Sequence, residues 1–599
     1  MKKTISFSFS VIVILSLHCP GSTLSAKAKA YNSWSRTSQY VTVRDGTRLA
    51  VDIMRPAYNR IPEKNPLPVI FEQRRYHRAS VQGGRIRCQL DRGDHPMREV
   101  GRHGYVYVVA DVRGGGASFG SRTDPYPPVE VLDSYDIIEW IAKQDWCDGK
   151  VGMYGISYGG SAQFTAATGK SSHLRAIFPE MATFDIYPFC YPGGIFRKQT
   201  VQKWSQYTSS LDRNLSSQVA PVDDDRQGML LKAAIKEHYS NPNVFKESSA
   251  QPFRDGFMQS SKGQHYITHS PYSHLEQINQ SGAGVYLRAG WWDMYPKDML
   301  LWYVNLKTPK KIVIGPWNHY SSEGFSRGEE MRQWYDYWLK GIDNGIMEEP
   351  PIKYYTLSAP NGKQWRSSYS WPPESSVYQK YYFRAGPSGS VRSVNDGILS
   401  REKPAISEGY DSYTVDYTTT SGTATRWTSG GVKPNYPDMQ SNDRKGLTYT
   451  TAPLKNAVEV TGHPVIHLWI ISSEKDGDFF AYLEEVDKYG ASDYISEGML
   501  RASHRKLHPA PFNNLGLPYH RSFQEDIEEL PSEPVELIFD LLPISKMFVT
   551  GQRIRITITC SDKDNASTPV LNPAPIVRLY RNTSFTSYVE LPIAQTKIN

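Results

Sequence analysis

The run Gly155-Ile156-Ser157-Tyr158-Gly159 constrains this chain more than any other feature. The apolar lead-in Val151-Gly152-Met153-Tyr154 predicts a strand. The continuation from Gly160 to Ala167 predicts a helix. A serine between strand and helix in a Gly-x-Ser-x-Gly frame is a nucleophile elbow. The sharp turn holds its hydroxyl at the sheet edge, close to a helix N-terminus. Glycine is expected on both sides because a side chain at either position would clash in the turn. A second run of the same form, Gly116-Ala117-Ser118-Phe119-Gly120, also follows an apolar strand, Tyr105 to Ala110. What comes next, Ser121-Arg122-Thr123-Asp124-Pro125-Tyr126-Pro127-Pro128, cannot open a helix at once. Ser118 is therefore read as part of a glycine-rich loop, and Ser157 as the elbow.

The chain is long enough, at 599 residues, for several domains. Its formal charge of +7, from 68 basic and 61 acidic residues, is small for that length. No basic block points to nucleic acid. The N-terminus reads as a Sec signal peptide over residues 1–26: Met1-Lys2-Lys3, an apolar stretch from Ile5 to Leu17, then small residues up to Ala26 or Ala28. The stretch is too short for a comfortable membrane span, so cleavage and a secreted or periplasmic protein without a membrane anchor are expected. Cys88, Cys147, Cys190 and Cys560 are scattered in neither a zinc spacing nor a disulfide framework. No metal or organic cofactor is expected. Assembly into an oligomer stays open.

Strand and helix signals alternate from about residue 40 to 360. Asp45-Gly46 marks a hairpin between Tyr40 to Val43 and Leu49 to Ile53. Buried strands are expected at Pro68 to Phe71, Val106 to Ala110, Ala176 to Phe178, Val285 to Ala289 and Lys311 to Ile314. Helices are expected around Val131 to Ala142 and Met331 to Leu339. This is an α/β pattern with a mostly parallel sheet covered on both faces. Residues 181–279 break the rhythm. They are helix-leaning, and ligands of open α/β sheets bind beyond the strand C-termini, so this segment is expected to form a cap over the site. The first part of the core is then 27–180 and the second 280–365. Trp371-Pro372-Pro373 marks a linker, after which period-two alternation predicts an all-β sandwich over 366–599.

A serine nucleophile needs a base, and the base needs an orienting acid. In α/β-hydrolases the order along the chain is serine, acid, histidine, each just after a strand. The strand Val285 to Ala289 ends in Gly290-Trp291-Trp292-Asp293. The strand Lys311 to Ile314 ends in Gly315-Pro316-Trp317-Asn318-His319. Ser157, His319 and Asp293 are thus the expected nucleophile, base and orienter, with Asp298 as the alternative acid. His77, His95 and His103 precede the serine and fit less well. The backbone N–H of Tyr158 is one expected oxyanion donor. The loop Arg74-Arg75-Tyr76-His77 has no His-Gly-Gly-Gly run, so Tyr76 is the side chain named for the second.

These segments resemble the cocaine esterase / X-Pro dipeptidyl-peptidase family. The similarity runs through Pro68 to Tyr76, the Asp111-Val112-Arg113-Gly114 loop, Asp145 to Gly155, Gly290 to Asp293, Ile314 to His319 and Trp334 to Gly341. It continues in Gly462 to Val465, Asp476 to Phe480 and Gly498 to Arg501. The resemblance implies an α/β-hydrolase core, a helical cap and a C-terminal β jelly roll. It also implies acyl transfer to water through a serine acyl-enzyme, and a tyrosine hydroxyl in the oxyanion hole. The family usually carries proline before that tyrosine; this chain has Arg75. The branch that binds α-amino acid esters has two acids shortly after the catalytic aspartate. Tyr295 and Pro296 stand there instead. An unpaired buried ammonium is costly, so that mode of recognition is not expected. Trp291, Trp292 and Tyr295 suggest an aromatic acyl pocket.

Three functions fit this reading. One is an exported serine hydrolase of small-molecule acyl esters, extending to amides such as β-lactam or glutaryl substrates. Another is an X-Pro dipeptidyl-peptidase, which a cap carboxylate would favour. The third is a β-sandwich binding protein with a vestigial hydrolase core.

Overall fold

The computed structural model describes residues 30–123, 125–404, 409–428 and 434–595. The expected signal peptide lies outside them. The chain enters through a hairpin, β1 (Ser33–Thr42) and β2 (Arg48–Tyr58), paired antiparallel around the Asp45-Gly46 turn. The sheet continues with β3 (Leu67–Arg74), β4 (Val106–Asp111), β5 (Cys147–Ile156) and β6 (Leu174–Glu180). After an excursion come β7 (Gly284–Gly290), β8 (Lys310–Gly315), β9 (Ile352–Tyr355) and β10 (Trp365–Ser368). The order across the sheet is β1-β2-β4-β3-β5-β6-β7-β8-β9-β10. Neighbours from β4 through β9 run parallel.

Parallel strands are covered on both faces, which is why β4 and β7 are buried at every position and read as mostly apolar runs, interrupted by Asp111 at the end of β4 and by Arg288 within β7. Helices α1 (Val129–Ala142) and α2 (Tyr158–Thr168) pack against the middle of the sheet. Helix α1 buries Ile137, Ile138 and Ile141 in its second half. In its first half it buries Glu130, Asp133 and Ser134, which bond to Tyr158 of α2, to Arg113 of the loop after β4 and to Gln73 near the end of β3.

The excursion between β6 and β7 is helical. It contains α3 (Lys198–Asp212) and shorter helices at Ile186–Cys190, Met229–His238 and Val244–Ser249. The chain then returns to the sheet, and α4 (Pro296–Asn305) and α5 (Arg327–Lys340) complete the α/β unit. Strand β10 pairs with β9 through Ser368, so the unit runs past the boundary expected at residue 365. The sequence Trp365-Arg366-Ser367-Ser368 has no apolar run to betray an edge strand.

The C-terminal part is β-rich, a 13-stranded sheet system opening with Ser376–Arg384. Strand Tyr410–Thr414 alternates exposed and buried residues, the period-two pattern of a strand with one solvated face. Strand Asp478–Val486 is buried throughout. This domain packs on the cap: Thr200 Oγ1 donates to the Trp427 carbonyl at 2.7 Å, and Arg197 lies over the Trp427 ring at 3.6 Å.

Candidate active site

Ser157 sits between β5 and α2 with φ 62° and ψ −122°, a left-handed conformation that a residue with a side chain adopts only under constraint. The constraint is visible. Ser157 N–H donates to the Glu180 carbonyl at 2.9 Å, and the Ser157 carbonyl accepts from Ser161 N–H at 3.0 Å. A Cβ on Gly155 would come within 2.5 Å of the Gly159 carbonyl oxygen, as expected for the turn. The second glycine of the motif differs from expectation. A Cβ on Gly159 would meet only ordinary contacts, at 3.5 Å from the Gln73 carbonyl, whereas one on Gly160 would be driven into the Glu180 carbonyl. The close approach comes from β6, which the local sequence does not reveal. Ser118 is locked away: its buried Oγ donates to the Asp111 carbonyl at 2.7 Å and accepts from Ala50 N–H at 2.9 Å.

Asp293 and His319 follow β7 and β8, which are adjacent and parallel, so their C-terminal ends lie side by side. His319 Nδ1 is 2.9 Å from Asp293 Oδ1. Asp293 is only 2 % exposed, and Arg426 of the β-rich domain donates to its main-chain carbonyl at 2.9 Å. The turn carrying His319 is tied by Asn318, whose Oδ1 accepts from the N–H groups of Tyr320 and Ser321. Asp298, the alternative acid, does not approach His319. Its Oδ1 accepts from Phe184 N–H at 2.7 Å and Asp185 N–H at 3.3 Å, and burial pushes its carboxyl up to about 7.

Ser157 and His319 line one cavity of about 330 Å³, together with Tyr76, Tyr158 and Tyr295. As the first residue of α2, Tyr158 has a backbone N–H with no partner inside the helix. Its phenol points away and donates to the Glu130 carboxylate at 2.7 Å, anchoring the elbow to α1. Burial pushes Glu130 up to about 7, against the pull of nearby Arg122. Tyr76 Oη accepts from Trp204 Nε1 at 3.2 Å.

The aromatic wall differs from the expected one. Tyr295 lines the cavity, with its ring 6.2 Å from that of His319. Trp291 and Trp292 do not. After β7 the backbone continues to pair with the segment following β8, through Trp291 N–H to the Gly315 carbonyl and Trp292 N–H to the Trp317 carbonyl. This pairing turns Trp291 into the core, where Nε1 donates to the Tyr355 carbonyl. Trp292 packs instead with Ile195, Phe480 and Tyr494 at the β-rich domain. The wall is supplied by residues not singled out from the sequence: Tyr126, Phe189, Trp204, Tyr207, Tyr320 and Trp427. Only the helical spacing of Trp204 and Tyr207 hinted at a shared face; Trp427 comes from another domain. Among the described lining residues Lys203 carries the one permanent charge, and none is Asp or Glu.

A buried acid bonded to an imidazole, beside a constrained serine and a helix N-terminus, has the parts needed for nucleophilic acyl transfer. Among the described residues no group of three or more His, Cys, Asp and Glu side chains is placed to hold a metal ion.

Comparison with known proteins agrees with this architecture. Residues 45–321 match the family described as X-Pro dipeptidyl-peptidase (S15 family). Residues 344–576 match the X-Pro dipeptidyl-peptidase C-terminal non-catalytic domain. A Mycobacterium bovis protein named "Putative serine esterase" is 34 % identical, covering 94 % of this chain and 96 % of its own. The cocaine esterase of Rhodococcus sp. is 26 % identical over 92 % of this chain and 97 % of its own. A CocE/NonD family hydrolase from Staphylococcus aureus has the same fold, with a TM-score of 0.69 over 93 % of both chains at 18 % identity. With its candidate nucleophile at the elbow of an α/β-hydrolase sheet and a β-rich domain behind it, the chain belongs to the S15 family of serine hydrolases, which includes esterases and dipeptidyl-peptidases.

Proposed function

We propose that this protein is an exported esterase that cleaves small-molecule acyl esters through Ser157, His319 and Asp293. The observation that carries the reading is the His319–Asp293 hydrogen bond at the rim of an aromatic cavity that also holds Ser157. His319 Nε2 takes the Ser157 proton as Oγ attacks the acyl carbon. Tyr158 N–H and Tyr76 O–H donate to the resulting oxyanion. The imidazolium, stabilised by Asp293, returns its proton to the departing alcohol and leaves the acyl-enzyme. Water, deprotonated by His319, then releases the acid. Phe189, Trp204, Tyr295 and Trp427 favour an apolar or aromatic acyl group. The absence of Asp and Glu among the described lining residues favours esters over peptides with a free N-terminal ammonium. Export is proposed from Met1-Lys2-Lys3 and the apolar stretch that follows.

The test is hydrolysis of a p-nitrophenyl acyl ester and an X-Pro p-nitroanilide by the wild type and Ser157→Ala. Ester cleavage that disappears in Ser157→Ala, with a silent anilide, is the expected result. Efficient anilide cleavage would replace the esterase reading with a peptidase one.

A further inference from the structure

Proline before an oxyanion tyrosine would stiffen the loop by fixing φ. Arg75 cannot do that, yet its side chain supplies a restraint of another kind. Its Nη1 and Nη2 donate to Asp212 Oδ1 and Oδ2 at 2.7 and 2.8 Å, a bidentate pair with both partners buried. Asp212 is the last residue of α3 in the cap. It is held in turn by Asn241, whose Nδ2 donates to Oδ2 at 3.1 Å.

The next two residues of the loop meet the same helix. Tyr76 is held at its tip by Trp204 Nε1 and on its face by the ring of Tyr207, stacked at 6.0 Å and 24°. His77, at φ 61°, brings Nε2 to 3.2 Å from the Leu211 carbonyl. Positions 204, 207 and 211 recur at three and four residues, so they lie on one face of α3. Residues 75, 76 and 77 are thereby clamped in succession by a helix more than a hundred positions away in sequence.

We infer that α3 is a positioning element for the oxyanion hole: Trp204 aims the Tyr76 hydroxyl, and the Arg75–Asp212 pair fixes the loop that carries it. The inference rests on Tyr76 as an oxyanion donor. A phenol has one proton and can rotate it. Once its oxygen accepts the indole N–H, that proton must point elsewhere, and Tyr76 lines the cavity. An O–H whose oxygen accepts a hydrogen bond is also polarised into a stronger donor. The fork of Arg75 adds direction, because two parallel bonds between a planar guanidinium and a carboxylate fix the relative orientation of the two groups. A donor fixed before reaction needs no reorganisation when charge develops, which is where such donors gain their effect. Helix α3 also lines the cavity with Thr200, Lys203, Trp204 and Tyr207, so the surface that receives substrate is the one that sets the donor.

The experiment is a double-mutant cycle read in kcat and KM on a p-nitrophenyl ester. Tyr76→Phe alone should lower kcat roughly a hundredfold, as for loss of one oxyanion donor. Trp204→Phe keeps an aromatic ring and removes only the N–H. It should lower kcat about tenfold with KM changed less than twofold, and should cost less than about twofold further in the Tyr76→Phe background. Equal losses in both backgrounds would overturn the inference, because Trp204 would then act on the pocket and not through Tyr76. An unchanged kcat in Trp204→Phe would overturn it as well. An unchanged kcat in Tyr76→Phe would remove the donor itself, a separate failure recognised from that single variant. Asp212→Asn, nearly isosteric, should lower kcat in the same direction in protein whose melting curve shows it folded. Full activity in that folded variant would remove the ion pair from the device.

Discussion

Asp293→Asn isolates the charge of the proposed orienting acid. Asp293 Oδ1 lies 2.9 Å from His319 Nδ1, and its other oxygen is buried without a protein hydrogen bond among the described residues. The acid is thus directed at the imidazole alone. In the proposed mechanism His319 takes the serine proton, and two unit charges with centres about 4 Å apart then appear in a partly buried site. At an effective dielectric of about 20 their attraction is ~4 kcal/mol, which corresponds to about a thousandfold in rate. An asparagine amide can also donate to Nδ1. That would place the imidazole proton on Nε2 and remove the base, taking the loss towards about ten-thousandfold. The imidazolium exists only in the transition states and intermediate, so the loss should fall on kcat with little change in KM. The assay is steady-state hydrolysis of a p-nitrophenyl ester near pH 8, with Asp298→Asn as control. Asp298 bonds backbone N–H groups and not His319, so its substitution should change kcat less than about twofold. A loss below tenfold in Asp293→Asn, or equal losses in the two variants, would refute the assignment.

Asp298→Asn should also change the pH dependence of stability. The folded carboxyl is raised to about 7, above its unfolded value of 3.8, so the native state binds the extra proton between those values. Its ionisation therefore destabilises the fold as pH rises through that window. The variant should melt above the wild type at pH 8, with the gain shrinking towards pH 4; a gain larger at pH 4 would contradict the linkage. Gly160→Ala should disrupt the elbow and yield little folded protein, while Gly159→Ala should fold with a near-native circular dichroism spectrum, because only the former drives a Cβ into the Glu180 carbonyl. Ser118→Ala leaves the Ala50 N–H without its buried acceptor and should cost about 1–3 kcal/mol in denaturant unfolding. It should keep labelling by a fluorophosphonate, whereas Ser157→Ala should lose it; the reverse pattern would exchange the two serines.

Much of this protein was legible in the residue order because the relevant physics is local. Buried parallel strands need near-continuous apolar runs, so Val106–Asp111 and Gly284–Gly290 announced themselves, although Arg288 interrupts the second. The elbow needs strand, serine and helix within a dozen residues. Parallel neighbours share a C-terminal edge, so a side chain just after β7 and another just after β8 were bound to end up close, as Asp293 and His319 do. Tertiary packing decided what depends on contacts between distant segments. It chose Tyr295 over Trp291 and Trp292 for the cavity, because the backbone beyond β7 stays paired and turns those indoles elsewhere. It made Gly160 the crowded glycine, through a carbonyl of β6. It brought Trp427 and Arg426 of the β-rich domain to the site, and it replaced the stiffness of a proline with the Arg75–Asp212 pair. None of these leaves a periodic or short-range trace, since each is a pairing between segments distant in sequence that meet only once the chain has folded.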